Sequence, residues 1–216
     1  MKQILFDLDG TITDSGEGII HCAQETFAHF GLAVPTKAEL RVIVGPPLRQ
    51  SMQKFGIHPE NIEEAVEVYR QHYVDHGQFE NFPYPGIEHL LQCLKNEGYQ
   101  LYVATSKPEA MSVQILTHFG LAQYFDGICG STADQTRDTK AKVIAHLLSQ
   151  ISPMPGRIIM VGDTVMDIGC GQAAGVKTVM ATWALAAQKD LGGMVPDYRI
   201  NAAEELWSVL EALDAE

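Results

Sequence analysis

No run of apolar residues in this 216-residue chain reaches the ~20 that a membrane-crossing helix needs. The four cysteines, Cys22, Cys93, Cys129 and Cys170, are scattered and make no CxxC pair. Neither a disulfide framework nor a zinc ribbon has its spacing here, so reduced, mostly buried thiols are expected. Cations are scarce: 15 Lys and Arg stand against 27 Asp and Glu, a net charge of −12. A nucleic-acid backbone would be repelled by that balance, and no nucleic-acid partner is expected. No basic, apolar leader precedes the first apolar stretch, which makes cytoplasmic the expected location. Internal repeats and low-complexity segments are lacking as well.

What is present is a globular composition, 46% hydrophobic and 19% charged. The length suffices for one ordinary core plus a smaller second unit. Short apolar stretches alternate with helical patterns, which predicts an α/β fold around a mainly parallel, Rossmann-like sheet. Strands are expected at Gln3–Phe6, Leu101–Thr105, Gly127–Cys129, Arg157–Val161 and Lys177–Ala181. Ile87, Leu90, Leu91 and Leu94 share one helical face ahead of Gly98, Val113 and Leu116 mark a second helix ending at Gly120, and Asp138 or Thr139 can cap a third carrying Val143, Leu147 and Leu148. A last amphipathic helix is expected over Ala203–Leu213, while Trp183 and Tyr198 are expected to pack.

The interval between the first two strands is far longer than a crossover needs and reads as helical. Ile19, Ile20, Ala23, Phe27 and Phe30 make one stripe; Ile62, Ala65, Val66, Tyr69 and Tyr73 make another. Glycines at Gly16 and Gly18, and Pro83, Pro85 and Gly86, punctuate its two ends. Residues 15–85 are therefore expected to form a small helical unit inserted into a core made of 1–14 and 86–216.

The first strand runs into Asp7-Leu8-Asp9-Gly10-Thr11. Alternation along a strand points Asp7 and Asp9 to one side. Two carboxylates there repel one another unless a cation intervenes or one is protonated. C-terminal strand ends are also where parallel sheets build their ligand crevice. Gly10 permits a sharp turn and a close approach to a ligand. The second strand runs into Thr105-Ser106-Lys107-Pro108, where hydroxyl and backbone N–H groups can cradle an anion. A later strand runs into Gly162-Asp163-Thr164-Val165-Met166-Asp167, with Asp163 either an N-cap or a ligand and Asp167 one helical turn on. Four carboxylates at converging strand ends imply a hard divalent cation, and all-oxygen ligation suits Mg2+.

This set of motifs, in this order, resembles the haloacid dehalogenase-like hydrolases, and the likeness covers essentially the whole chain. Asp7-Leu8-Asp9-Gly10-Thr11 matches their first motif, Thr105-Ser106-Lys107 the second, the lysines of Thr139-Lys140-Ala141-Lys142 the third, and Gly162-Asp163 through Asp167 the fourth. The insertion is similar to the helical C1-type cap of the phosphoglycolate phosphatase-like branch, which also shows segments like Val44-Gly45-Pro46-Pro47-Leu48. The resemblance implies a Mg2+-dependent phosphatase acting on a small phosphorylated metabolite, as monomer or homodimer. It implies Asp7 as nucleophile, Asp9 as general acid and base, and Lys140, rather than Lys142, as the charge-neutralising lysine. It implies Asp7, the carbonyl of Asp9 and Asp163 as metal ligands, with Asp167 holding a metal-bound water or orienting the lysine. Thr105, Ser106 and Gly10 would surround the phosphoryl group, and Arg49, on the inserted unit, would grip the anionic substrate. A phosphomutase or a pyrophosphatase would use the same acids. A phosphoacceptor signalling module would instead carry its acceptor on a later strand.

His72 and His76 are four residues apart, a spacing that can bind metal. With no nearby acid read as completing a set, they are expected to form a solvated helix face. Gly169 and Gly171 interrupt the helix after Asp167, each at a cost of about 1 kcal/mol against alanine.

Overall fold

Gln3-Ile4-Leu5-Phe6 is buried at every position, as a strand covered on both faces must be. Ile4 and Phe6 join one cluster with Leu90, Leu91, Ile115 and Leu206, whereas Leu5 joins another with Val143, Ile144 and Leu147. The period of two thus assigns alternate residues to opposite helical layers, and a three-layer α/β core follows.

The computed structural model describes residues 3–44, 48–134, 136–152, 157–184 and 191–214. In chain order, β1 (Gln3–Phe6) and β2 (Thr13–Asp14) precede helices α1 (Gly16–His29), α2 (Lys37–Leu40), α3 (Leu48–Lys54) and α4 (Ile62–Asp75). Then come β3 (Phe82–Pro83), α5 (Ile87–Asn96), β4 (Gln100–Pro108), α6 (Glu109–His118), β5 (Gly127–Ser131) and α7 (Lys140–Gln150). The chain continues through β6 (Ile158–Gly162), α8 (Val165–Ala173), β7 (Lys177–Ala181), β8 (Tyr198–Ile200) and α9 (Leu206–Asp214). Six strands form one sheet in the order β5-β4-β1-β6-β7-β8. Every pairing in it is parallel. β2 and β3 form a separate two-stranded sheet.

Two units emerge, one of Met1–Thr13 with Pro83–Glu216 and one of Asp14–Phe82. The second is helical, and its α4 buries Ile62, Ala65, Val66, Tyr69 and Tyr73, the full stripe read from periodicity. Gly45, Pro46 and Pro47 lie outside the described residues. Among the described residues, no helix is long and apolar enough to cross a membrane.

Three departures from the sequence expectations have local causes. β4 extends past Thr105 to Pro108, shifting register against β5 after Ala104. β8 is too short, at three residues with Arg199 exposed, to give a readable alternation. In α6, Val113 is 41% exposed, and Ser112, Ile115 and Leu116 are buried instead. The glycine in the middle of α8 has a packing cause: a Cβ at Gly171 would lie 2.8 Å from Cγ2 of Thr178.

Candidate active site

β1 lies between β4 and β6, with Phe6 level with both Val103 and Val161. The chain segments leaving these three neighbouring strands therefore start side by side, at the point where strand order reverses, which is where open parallel sheets place their ligands. Asp7 and Asp9 follow β1, Thr105 to Lys107 close β4, and Asp163 follows β6.

The turn after β1 is built on one carbonyl. Leu8 O accepts from the N–H groups of Thr11, Ile12 and Thr13 at 3.3, 2.9 and 3.0 Å, while Gly10 N–H donates to Thr13 O at 2.8 Å. Leu8 itself is fully buried. The turn needs φ +84° at Gly10, and a Cβ there would lie 2.2 Å from Oδ2 of Asp163. Glycine is thus required both by conformation and by the acid on the neighbouring strand. Gly10→Ala is expected to displace Asp163, costing ~1–2 kcal/mol for the left-handed backbone alone, and to lower turnover at least roughly a hundredfold. Steady-state kinetics with melting curves would check this, and a fully active alanine variant would contradict it.

Asp7 and Lys140 are buried against one another, Nζ lying 2.7 Å from Asp7 Oδ1. The same ammonium lies 2.7 Å from Oδ1 of Asp167 and donates to Ala104 O at 3.1 Å. Lys142 points elsewhere, pairing with Asp138 on an exposed surface. Thr139 caps α7 by accepting from Lys142 N–H, and this cap places Lys140 at the first helical position, inside the sheet's end. Asp167 is fully committed: besides Lys140, its Oδ2 accepts from the backbone N–H and hydroxyl of Thr164 at 3.0 and 2.6 Å. Thr164, not Asp163, is therefore the N-cap residue of α8.

Asp163 is almost wholly buried, and its Oδ1 accepts from the Thr11 hydroxyl at 3.3 Å. Asp7 Oδ1 accepts from Leu8 N–H at 2.8 Å. Among the described residues, no hydrogen bond reaches Oδ2 of either acid. Burial, then the charge of Asp167, raises Asp7 to about 6, with Lys140 pulling the other way. Burial, then the charges of Asp7 and Asp167, raises Asp163 to about 8. Burial pulls Lys140 down, but Asp167 and Asp7 outweigh it and hold the lysine protonated well above its usual range. One lysine among three buried carboxylates leaves negative charge uncompensated. Ligand atoms of Asp7, Asp163 and Asp167 lie within 4.8 Å of one another. This oxygen-only donor set with two oxygens free of hydrogen bonds fits a hard divalent cation such as Mg2+. Asp7 and Asp163 have the free oxygens to hold it, whereas Asp167 is occupied in holding the lysine.

Thr105 is buried at the end of β4, its hydroxyl accepting from Lys107 N–H at 3.3 Å, and Ser106 is exposed. Lys107 escaped sequence reading as a site residue. Its ammonium lies 2.7 Å from Oδ2 and 3.0 Å from Oδ1 of Asp9, with only 7% of the side chain exposed. The available signal was spacing: Lys107 is two residues beyond Thr105, hence on the same side if the strand continues. Trp183 also contributes, its indole N–H bonding Thr11 O at 3.1 Å and bracing the turn. Arg49 belongs to the helical unit, where its guanidinium makes a two-point contact with Glu63 at 2.9 and 2.6 Å.

Acids and a buried lysine are thus gathered where three adjacent strands of a parallel α/β sheet end. The chain belongs to the haloacid dehalogenase-like hydrolases, whose family model matches residues 4–181. The tyrosine-protein kinase PtkA of Mycobacterium tuberculosis is 41% identical over 182 residues, 84% of this chain. The chain spans 62% of the length of that relative. A 5'-nucleotidase of Pseudomonas aeruginosa is 36% identical over 97% of this chain and 96% of its own. A haloacid dehalogenase-like family hydrolase from Streptococcus pneumoniae has a similar solved structure, with TM-score 0.89 and 32% identity over 97% of this chain and 98% of that one.

Proposed function

We propose that this protein is a Mg2+-dependent phosphatase of a small phosphomonoester, working through an aspartyl-phosphate on Asp7. The observation that carries the reading is the arrangement of Asp7: a buried carboxylate with one oxygen fixed by Leu8 N–H and Lys140 and the other, Oδ2, free of hydrogen bonds. A nucleophile needs that combination, one oxygen oriented and one available.

Asp7 Oδ2 attacks phosphorus in line with the leaving oxygen, and the P–O bond to the alcohol breaks. Asp9 delivers its proton to the departing oxygen, then accepts a proton from the water that attacks the acyl phosphate. That second displacement releases inorganic phosphate and regenerates the Asp7 carboxylate. Lys107 holds the Asp9 carboxylate in place, and Lys140 balances charge on Asp7 and the transferring group. Thr105, the Ser106 backbone and the turn at Gly10 bind the phosphoryl oxygens. Asp7, the carbonyl of Asp9 and Asp163 would hold Mg2+, whose charge supplies stabilisation for the phosphoryl oxygens. The helical unit serves as a cap that selects the substrate, with Arg49 a candidate contact. The enzyme acts in the cytoplasm, as monomer or homodimer.

The similarity to PtkA favours a second reading, transfer of the phosphoryl group to an acceptor hydroxyl instead of water. The Pseudomonas aeruginosa relative, matched over nearly its whole length, carries the name of a nucleotidase, which favours water. A panel of phosphomonoesters plus pyrophosphate, with and without Mg2+, separates the readings by released phosphate. The proposal expects Mg2+-dependent release from at least one monoester; phosphoryl transfer to added acceptors without release would overturn it.

The raised acids give a pH signature. Asp7 and Asp163 titrate above their unfolded value of 3.8, so the folded, metal-free chain binds their protons more tightly than the unfolded chain. That stabilisation is complete below about pH 4 and is lost as pH rises through about 6 and about 8. Mg2+ binds the ionised pair and offsets the loss. Its stabilising shift in Tm is expected to be small at about pH 5 and to reach ~5–10 °C at about pH 8.5, with the ion at ~100 times its Kd. A shift that is absent, or equal at both pH values, would contradict the ligand assignment.

A further inference from the structure

The helical unit carries a second cluster of ligating side chains, remote in sequence from the acids of the sheet. It is assembled by a backbone contact. Gly18 of α1 donates its N–H to Glu80 O at 3.0 Å, and a Cβ at Gly18 would lie 2.0 Å from Gly77 O. Only glycine lets α1 lie this close to the segment that follows α4. His21 and Glu25, one and two turns along α1, thereby meet His72 and His76 of α4 and Glu80 just beyond it.

The contacts hydrogen-bond His21 to Glu80 but leave one buried nitrogen of His76 unsatisfied. His21 Nδ1 lies 2.8 and 2.9 Å from the two oxygens of Glu80. His76 Nδ1 lies 3.3 Å from Glu80 Oε1, and His76 Nε2 lies 2.9 Å from Glu25 Oε2. His72 Nδ1 faces the same Glu25 oxygen at 3.4 Å. Yet His76 Nδ1, a buried atom, makes no hydrogen bond. A neutral imidazole has one N–H. If Nε2 of His76 carries it toward Glu25, Nδ1 turns a lone pair toward the Glu80 carboxylate, which is unfavourable unless a cation lies between them. Ligand atoms of His21, His76 and Glu80 all fall within 4.8 Å of one another. Two donors bound ~2.0–2.2 Å from one tetrahedral ion lie ~3.3–3.6 Å apart, a separation that His76 Nδ1 and Glu80 Oε1 meet at 3.3 Å, while His21 Nδ1 would draw back from its 2.8 Å hydrogen bond to admit the ion.

We propose that His21, His76 and Glu80 form a binding site for Zn2+ in the helical unit. Mixed imidazole and carboxylate donors suit this ion, unlike the oxygen-only set at the sheet. Glu25 acts outside the ligand set, as the acid that orients His76 through its far nitrogen. The three ligands are 36–44% exposed as side chains, so the ion has an entry path and room for water in the remaining position. Cys22 stays out of the set, its sulfur grouping with Glu25 and His76 rather than with His21 and Glu80.

The test is calorimetric titration of the full chain with Zn2+, after chelator treatment and in excess Mg2+. Wild type and Asp163→Asn are expected to bind one Zn2+ per chain with similar affinity. His21→Ala/His76→Ala is expected to lose it, and Glu80→Gln to weaken it at least roughly tenfold. Glu80→Gln keeps the test decisive should the double variant fail to fold. A visible spectrum with bound Co2+ in wild type, absent from Glu80→Gln, would support the same set. No saturable Zn2+ binding by wild type would overturn the proposal. So would binding that survives Glu80→Gln unchanged, or that disappears in Asp163→Asn.

Discussion

Asp7→Asn is expected to lower phosphate release by roughly a thousandfold or more while leaving the fold intact. The amide keeps the shape of the carboxylate and can still meet Leu8 N–H and Lys140 through its oxygen. What it lacks is the negative charge and lone pairs at the position of Oδ2, the atom free to attack. It also removes one of three mutually repelling buried acids, whose charge adds to burial in raising Asp163. The metal-free variant should therefore melt at the same temperature as wild type or higher near pH 8. Loss of activity together with a large loss of stability would mean that Asp7 is structural.

Lys140→Met combines large losses of both kinds. Nζ is the ammonium shared by Asp7 and Asp167, each 2.7 Å away. Removing one partner of a buried ion pair costs ~3–5 kcal/mol, because the remaining charge stays buried and uncompensated. In a chain of this size that is a fall in Tm of about 10 °C. The fall should be larger near pH 8 than near pH 5, where Asp7, with its lysine gone, takes up a proton instead. Turnover should drop by ~100-fold or more, since the charge opposite the transferring group is lost. Lys142→Met, on the same helix but paired with Asp138 at the surface, should change neither quantity appreciably. Equal effects from the two lysines would remove the basis for assigning Lys140.

The parts of this architecture that were legible were those written locally. β1 and β7 could be placed to the residue because each carries a short apolar run, Ile4–Phe6 and Val179–Ala181, bounded by polar residues on both sides. The buried face of α4 followed from spacing alone. Asp7, Asp9, Asp163 and Asp167 stood out because acids directly after buried strands are energetically odd and need a reason. Contacts between distant residues were not legible. Lys107 meets Asp9 98 residues away, and nothing in Thr105-Ser106-Lys107 says that the strand runs on far enough to aim the lysine there. His72 and His76 looked solvated because Glu25, which both face, comes from α1, and because Glu80, although only four residues beyond His76, follows the end of α4 and meets His21 across 59 positions. That convergence depends on the backbone contact at Gly18, which composition and periodicity do not encode. β8 was missed for a simpler reason, having too few residues for any period to show.

The central claim is that Asp7 carries the phosphoryl group. The most direct measurement mixes the protein with Mg2+ and the best phosphomonoester of the panel, quenches in acid within the first turnovers, and locates added phosphoryl mass on the digested peptides. The account predicts phosphoryl on the peptide containing Asp7, formed before the steady release of phosphate and absent from Asp7→Asn. Phosphate released at full rate with no phosphoryl ever on Asp7 would contradict it.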